Sequence, residues 1–332
     1  MEVGMRHTLR RLIYVSLGLA LVLTVGACSN LFGPGGDDDA QTTGTVQLNL
    51  TDAPLDDPNV TGVYINIQTI EYRASDEEDG EWFAVENYDP DNPDNPYDLL
   101  ALTQGNFESL GSFDIPAGNY DSLQIRLIVA APLRGGGQPS NPGSYIAFDD
   151  DGEFTDGIDR PLFIPSGAQT GVKLTAPAFT VPENGDVTIT ADFDARRSVV
   201  ATGGGMDILK PTIRLVVDDQ AGEITGTVTG LSADMSYTVL AYEDDTYTAQ
   251  EHADPDAEES RFPNAVSSST LEDEDGDGSA DYVLPYLAEG TYDLYIAVYD
   301  SDGYVGGAPV DGPQDVEVAA GDTVTEDFSL TQ

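Results

Sequence analysis

Apolar side chains recur at every second position in run after run of this chain, a period that suits a strand with one buried face and no helix. Val46, Leu48 and Leu50 alternate with Gln47 and Asn49, and Val63, Ile65 and Ile67 with Tyr64 and Asn66. Leu123, Ile125 and Leu127 alternate with Gln124 and Arg126, Val187 and Ile189 with Thr188 and Thr190, and Ile213, Leu215 and Val217 close the set. Turn-forming clusters such as Asp89, Pro90, Asp91 and Asn92, or Gly135 to Gly137, separate the runs. No long amphipathic helix is present; one short helical turn is expected over residues 98–102. Many short strands punctuated by turns predict an all-β fold of antiparallel sandwiches.

A boundary is expected near residues 218–222, where ITGTVTG (224–230) opens a second set of strands, including 237–242, 294–298 and 324–330. The two halves echo each other. IPAGNY (115–120) precedes one strand and LAEGTY (287–292) another, so each glycine is expected at positive φ and each tyrosine is expected to lock its turn onto the sheet. VPENGD (181–186) and VAAGD (318–322) read as matching hairpin turns. The predicted architecture is two antiparallel β-sandwich domains in tandem, 44–218 and 222–332.

The N-terminus reads as an export segment. Arg6, Arg10 and Arg11 precede an apolar or small run over residues 12–25, shorter than the roughly 20 residues that span a bilayer as a helix. Val25-Gly26-Ala27-Cys28 follows and resembles the bacterial lipobox, which implies a signal peptide over 1–27 and lipid on Cys28, the one cysteine of the chain. One acyl chain holds a protein only marginally, and several hold it stably. Ser29 after the cysteine implies, by the sorting rule of such lipoproteins, the outer membrane of a two-membrane cell. Residues 28–43 read as a flexible acidic spacer. The expected localisation is therefore the cell envelope, extracytoplasmic, with membrane lipid as partner through Cys28.

Charge excludes other partners. Loss of residues 1–27 removes Glu2, Arg6, Arg10 and Arg11 and leaves 59 acids against 10 bases, a net of −49. Binding to nucleic acid by phosphate neutralisation is excluded at that charge, as is attraction of the body to an anionic membrane surface. Two readings of the acidity stand open: a saline medium that screens it, and cation binding. With one cysteine, no disulfide framework and no cysteine zinc site can form.

Residues 44–218 resemble the bacterial lipoprotein family with the domain of unknown function 4382. The resemblance is carried by LTDAP (50–54), IPAGNY (115–120), IPSGAQTGVKL (164–174), Asp192-Phe193-Asp194 with Ser198-Val199-Val200, and LKPTIRL (209–215). It implies an extracytoplasmic β-domain and brings no catalytic residues. Residues 222–332 are similar, more weakly, to carboxypeptidase-regulatory-like and transthyretin-like sandwiches through residues 225–229 and 287–292, which implies an accessory module.

The sharpest local motif is Asp273, Asp275, Asp277, Gly278, Ser279 and Asp281. Oxygen ligands at positions 1, 3, 5 and 9 with glycine at 6 reproduce the first part of a calcium loop, because alternate side chains of a tightly curled loop converge on one cation. Position 12 is Leu284, where an EF-hand has a bidentate Glu, and the flanks read as strand, so a structural Ca²⁺ of weak affinity is expected, about 10⁻⁴–10⁻³ M. The competing reading is a solvated acidic loop in a half that carries 26 acids and Arg261 as its one base. Residues 149–153 read as a hairpin tip, and Asp89, Asp91 and Asp94 as an exposed loop.

Catalytic chemistry has little to stand on. His252 is the one histidine left after processing, without a second histidine or a cysteine to build on. Trp82, Tyr286, Tyr295 and Tyr299 are candidates to face solvent and stack on sugar rings, against the commoner use of aromatics in strand packing. The expected function is non-enzymatic: a surface lipoprotein displaying sandwich modules for structural, adhesive or ligand-capture roles, with a surface glycan or protein as ligand. A carbohydrate-binding or polysaccharide-processing accessory protein and a carboxylate-dependent hydrolase are the alternatives.

Overall fold

The computed structural model describes residues 42–330 apart from 54–58, 75–80, 86, 93–94, 132–141, 150–152, 157, 166–169, 201–205, 253–260, 274, 302 and 306–308. Cys28, the export segment, most of the spacer and Gly135 to Gly137 lie outside the described residues. The first half begins with β1 (Thr43–Ala53), β2 (Gly62–Ala74), β3 (Phe83–Ala84), β4 (Tyr97–Asp98) and β5 (Glu108–Pro116). It continues through β6 (Gly118–Tyr120), β7 (Leu123–Ala130), β8 (Tyr145–Ala147), β9 (Arg160–Phe163) and β10 (Val172–Ala176). It ends with β11 (Phe179–Val181), β12 (Asp186–Asp194), β13 (Val199–Val200), β14 (Asp207–Leu209) and β15 (Ile213–Val217). The second half holds β16 (Ala221–Thr229), β17 (Ser236–Glu243), β18 (Ser267–Leu271), β19 (Ser279–Ala288) and β20 (Gly290–Asp300). Five short strands follow: β21 (Gly303–Tyr304), β22 (Val310–Asp311), β23 (Val316–Val318), β24 (Thr323–Thr325) and β25 (Phe328–Ser329).

The strands form an all-β, sandwich-type fold. One sheet of the first half has the order β15-β12-β1-β5, and a larger one runs β10-β7-β2-β8-β9-β14-β13. In the second half β19-β16-β24 form one sheet and β18-β17-β20-β21 another. The inward residues of the alternating runs meet between the sheets: Val46, Leu48, Leu50, Val63, Ile65, Ile67, Leu123, Ile125, Leu127 and Ile189 are buried in one core drawn from residues 46–217. Residues 224–318 supply a second core, with Ile224, Val228, Val239, Leu294 and Ile296 fully buried. Each such Leu or Ile contributes about 2 kcal/mol over an exposed one. The expected helical turn is a 3₁₀ turn over Leu99–Leu102, capped by the Asp98 carboxylate, which accepts from the Leu100 N–H at 3.1 Å.

The sheets are largely antiparallel; besides the short parallel β9–β14 pair, one departure is repeated in both halves. The last long strand of the first half, β12, pairs parallel with β1 over nine registered positions, from Thr45–Asp186 to Ala53–Asp194. Likewise β24 pairs parallel with β16. The segments 181–186 and 318–322, expected as hairpin turns, are therefore arches between sheets. The strand before each arch, β11 or β23, pairs with β6 or β20, whereas the strand after it joins β1 or β16. The two arches are built alike. The Thr45 N–H donates to the Gly185 carbonyl at 2.9 Å, and the Glu223 N–H to the Asp322 carbonyl at 2.9 Å. Asn184 and Gly321 sit at the matching corners with φ of +52° and +75°.

The tyrosine turns also match. Tyr120 Oη donates to the Pro116 carbonyl at 2.8 Å and Tyr292 Oη to the Ala288 carbonyl at 2.7 Å, four residues back in each case. The glycines differ: Gly118 lies at φ +153°, but Gly290 does not take a positive φ.

The outer face of the β15-β12-β1-β5 sheet departs from the expected half-burial. Asn49 and Thr190, outward by alternation, are buried, as is Thr51. Thr51 Oγ1 donates to the Leu102 and Asn106 carbonyls at 2.9 and 2.8 Å, and β18 of the second half packs near β1. Arg196 completes the junction. Its guanidinium donates to the carbonyls of Arg261 (2.9 Å), Phe262 and Ala265 (3.4 Å), and its side chain is 3% exposed.

Candidate functional site

The loop between β18 and β19 brings three of the expected ligands together. Carboxylate oxygens of Asp273, Asp275 and Asp277 all lie within 4.8 Å of one another. The curl is local. Asp273 Oδ1 accepts from the Gly276 and Asp277 N–H groups at 2.9 and 3.1 Å, and its Oδ2 from the Gly278 N–H at 2.9 Å. Gly276 and Gly278 sit at φ +71° and +83°, the conformation that only glycine adopts without strain. Ser279 donates to Asp277 Oδ1 through its N–H (2.9 Å) and hydroxyl (2.7 Å). Asp281 stands apart from the three, its carboxylate accepting from Thr227 Oγ1 at 2.6 Å across the β16–β19 pair. A cation at this loop would draw on Asp273, Asp275 and Asp277, and would need Asp281 to turn from Thr227.

A second triad was not singled out in the sequence, because its members are spread along the chain. Asp244, Asp293 and Asp315 also bring carboxylate oxygens within 4.8 Å. Asp293 is buried and accepts from the Asp315 N–H at 3.1 Å. Its neighbours Asp245, Asp293 and Asp315, Asp245 foremost, push the Asp244 carboxyl above its ordinary value. Asp293 lies on the outer side of β20, between the inward Tyr292 and Leu294, so alternation alone gave no signal that it is buried.

Buried acids also gather at the end of the β1–β12 pair. Asp52 is 4% exposed; its Oδ1 accepts from the Ala195 N–H at 2.9 Å, and its Oδ2 has no hydrogen-bond donor among the described residues. Burial, reinforced by Asp194 and Asp192, raises its carboxyl well above the carboxylate range. Asp192 is raised too, since burial outweighs the Arg214 guanidinium that donates to it at 2.6 Å.

The remaining sequence candidates disperse. His252 Nδ1 lies 3.2 Å from Tyr247 Oη, and Arg261 donates to the His252 carbonyl at 2.8 Å. Tyr299 is buried at 5% exposure, in a small aromatic cluster with Tyr242 and Phe262 on the outer side of β17 and β20. Tyr295 is half-buried and packs on Tyr247 at 4.3 Å between centroids, while Tyr286 is half-buried at φ +59°. Trp82 is half-buried, with the guanidinium carbons of Arg73 and Arg126 at 4.7 and 4.3 Å from its ring centre. Asp150, Asp151 and Asp94 lie outside the described residues. Among the described residues no helix is long and apolar enough to cross a membrane.

Fold and site together define an all-β protein of the sandwich type whose distinctive surface chemistry is carboxylate. A family model described as Domain of unknown function (DUF4382) matches residues 43–211, half of the chain, and the chain belongs to that family. No curated protein matches it. Solved structures with some likeness include the Bacillus anthracis TIE protein, at 12% identity and a TM-score of 0.18, covering 86% of this chain and 34% of that one. A leucine-rich repeat protein from Bacteroides thetaiotaomicron gives 12% and 0.23, covering 88% and 26%. The fimbrial anchor protein Mfa2 from Porphyromonas gingivalis gives 10% and 0.17, covering 78% and 79%. This chain spans about a third and a quarter of the first two.

Proposed function

We propose that the protein is a non-enzymatic surface lipoprotein, anchored by lipid on Cys28, whose tandem sandwiches serve an adhesive, structural or ligand-capture role at the cell envelope. The observation that carries this is the lipobox-like Val25-Gly26-Ala27-Cys28 at the end of an apolar run, fifteen residues before β1 opens a packed β-body. Several acyl chains at that cysteine hold stably to a bilayer, whereas the strongly anionic body has no affinity of its own for one. Cys28→Ser is expected to move the protein from the membrane fraction to the soluble fraction. Unchanged membrane fractionation, or a mature product that begins elsewhere by mass spectrometry, would sink the anchor.

A structural calcium ion at Asp273, Asp275 and Asp277, with Ser279 and Asp281 as further ligands, belongs to the same reading. It is favoured by the convergence of the three carboxylates around Gly278. At about 1 mM, calcium bound with an affinity of about 10⁻⁴–10⁻³ M is expected to stabilise the full chain by about 0.4–1.4 kcal/mol, a rise of one to a few degrees in Tm. The rise should vanish in the Asp275→Ala, Asp277→Ala double variant. An equal rise in wild type and variant would reduce the loop to general charge screening.

A further inference from the structure

Where β15 hands over to β16, the two halves enclose a cleft of about 200 Å³. Gly105 and Asp218 line it from the first half; Glu223 of β16, Pro285 and Tyr286 of β19 and Asp322 of the arch line it from the second. Three of these are carboxylates, and no base is among the described residues of the wall. Two buried oxygens meet there unsatisfied. Thr190 Oγ1, on a residue with no exposed surface, closes no hydrogen bond among the described residues, and neither does Asp218 Oδ1. The Thr190 side chain lies beside the Asp218 carboxyl and the Tyr286 phenol, both in the cleft wall. Burial foremost, with the Asp218, Asp192 and Glu223 carboxylates, holds the Tyr286 phenol above its ordinary value, so the ring stays neutral in negative surroundings. Glu223 is held in place by Thr323 Oγ1, which donates to its Oε1 at 2.9 Å.

We propose that this cleft binds an alkylammonium group, its N–H donors taken by Asp218, Thr190 and Glu223 and its carbon stem by Pro285 and the Tyr286 ring. The unsatisfied oxygens call for a donor and the carboxylates for a positive charge. An ammonium supplies both, with three donors and no acceptor to leave unpaired. A bare divalent ion fits less well. The described carboxylates that converge within 4.8 Å of one another lie elsewhere, in the loop before β19 and at Asp244, Asp293 and Asp315. Such an ion would also leave unused the proline and the tyrosine face, which suit an apolar stem and a cation over a ring. Volume limits the size of the guest. Drug-sized ligands fill roughly 300–1,000 Å³, so a chain of a few carbons enters here and a larger molecule does not. The negative body draws such cations toward it from solution. A free aliphatic amine and a lysine side chain share this chemistry. The inference deepens the ligand-capture part of the reading above and is independent of the Cys28 anchor and of the calcium loop.

Titration calorimetry of the full-length protein in detergent, at about 0.15 M salt to screen loose attraction, tests this. The probes are putrescine, Nα-acetyl-lysinamide and the uncharged butanediol. Saturable binding of one equivalent of either amine is expected, and none of the diol. Whichever amine binds more tightly tells a free ligand from a lysine side chain. Affinity should fall at least tenfold in Asp218→Asn and several-fold in Glu223→Gln, both of which keep the shape of the side chain. Circular dichroism checks the fold; if Asp218→Asn does not fold, Glu223→Gln, on a half-buried side chain, carries the comparison. No binding of either amine, binding of many equivalents without saturation, or undiminished affinity in the folded variants would overturn the proposal. So would an equal response to butanediol. Cys28→Ser and the Asp275→Ala, Asp277→Ala double variant should leave the titration unaltered, so failure of the anchor, of the calcium loop and of this cleft are read separately.

Discussion

Asp52 shows how much a single position can carry. It continues the inward period of Val46, Leu48 and Leu50, so its burial was legible as pattern, but an acid at that place offered no reading as core. Its partners, the Ala195 N–H and the neighbouring Asp192 and Asp194, arrive from about 140 residues away, beyond the reach of any local signal. Because the folded carboxyl is raised, the native state holds its proton more tightly than the unfolded chain, whose value is about 3.9. The stability this group contributes is therefore full below about pH 3.9 and is lost as pH rises through the raised native value. Asp52→Asn keeps the oxygen that accepts from Ala195 and removes the buried charge. It is expected to flatten the fall of Tm with rising pH above about 4 and to raise Tm at neutral pH. A variant with the wild-type slope would show that Asp52 is not the buried acid responsible.

At the level of strands and turns, the sequence echo between the halves is real, and part of it marks arches between sheets where turn chemistry suggests hairpins. The tyrosine turns were placed correctly, each Oη closing on a carbonyl four residues back. The VPENGD and VAAGD segments were read as hairpins because turn chemistry reports a reversal of the chain and says nothing about which sheet the next strand joins. What fixes the arch is a close approach elsewhere in the sequence. A Cβ on Gly44 would lie 2.4 Å from the Pro182 carbonyl oxygen, and one on Gly222 would lie 2.5 Å from the Ala319 carbonyl oxygen. Gly44→Ala and Gly222→Ala are each expected to cost about 1–3 kcal/mol, since backbone must shift to admit the methyl. Chemical denaturation of the two variants measures this; unchanged midpoints would mean that the arches yield freely.

Over the whole molecule, the sandwich class and the strand runs were legible from period two alone, whereas the junction of the halves was not. Asn49, Thr51 and Thr190 are residues that alternation sends to solvent, and only the meeting of two distant surfaces buries them. The Arg196 guanidinium, closed on three carbonyls of residues 261–265, likewise has no signature in its own neighbourhood. The candidate calcium loop was legible because its ligands are sequential, and the Asp244, Asp293 and Asp315 triad was not because they are far apart. Self-repulsion among 60 acids against 13 bases opposes the fold as a whole. Raising monovalent salt from 0.1 to 1 M shortens the screening length from about 10 to about 3 Å. Tm is expected to climb over that range, and a flat profile would mean that the fold tolerates its charge without screening.

The parallel closure of the first half also has a mechanical side. A pull directed along β1 from its N-terminal end loads the β1–β12 and β1–β5 ladders in shear, so their hydrogen bonds resist together instead of opening one after another like a zip. Such a strand grips best against a load along its own axis.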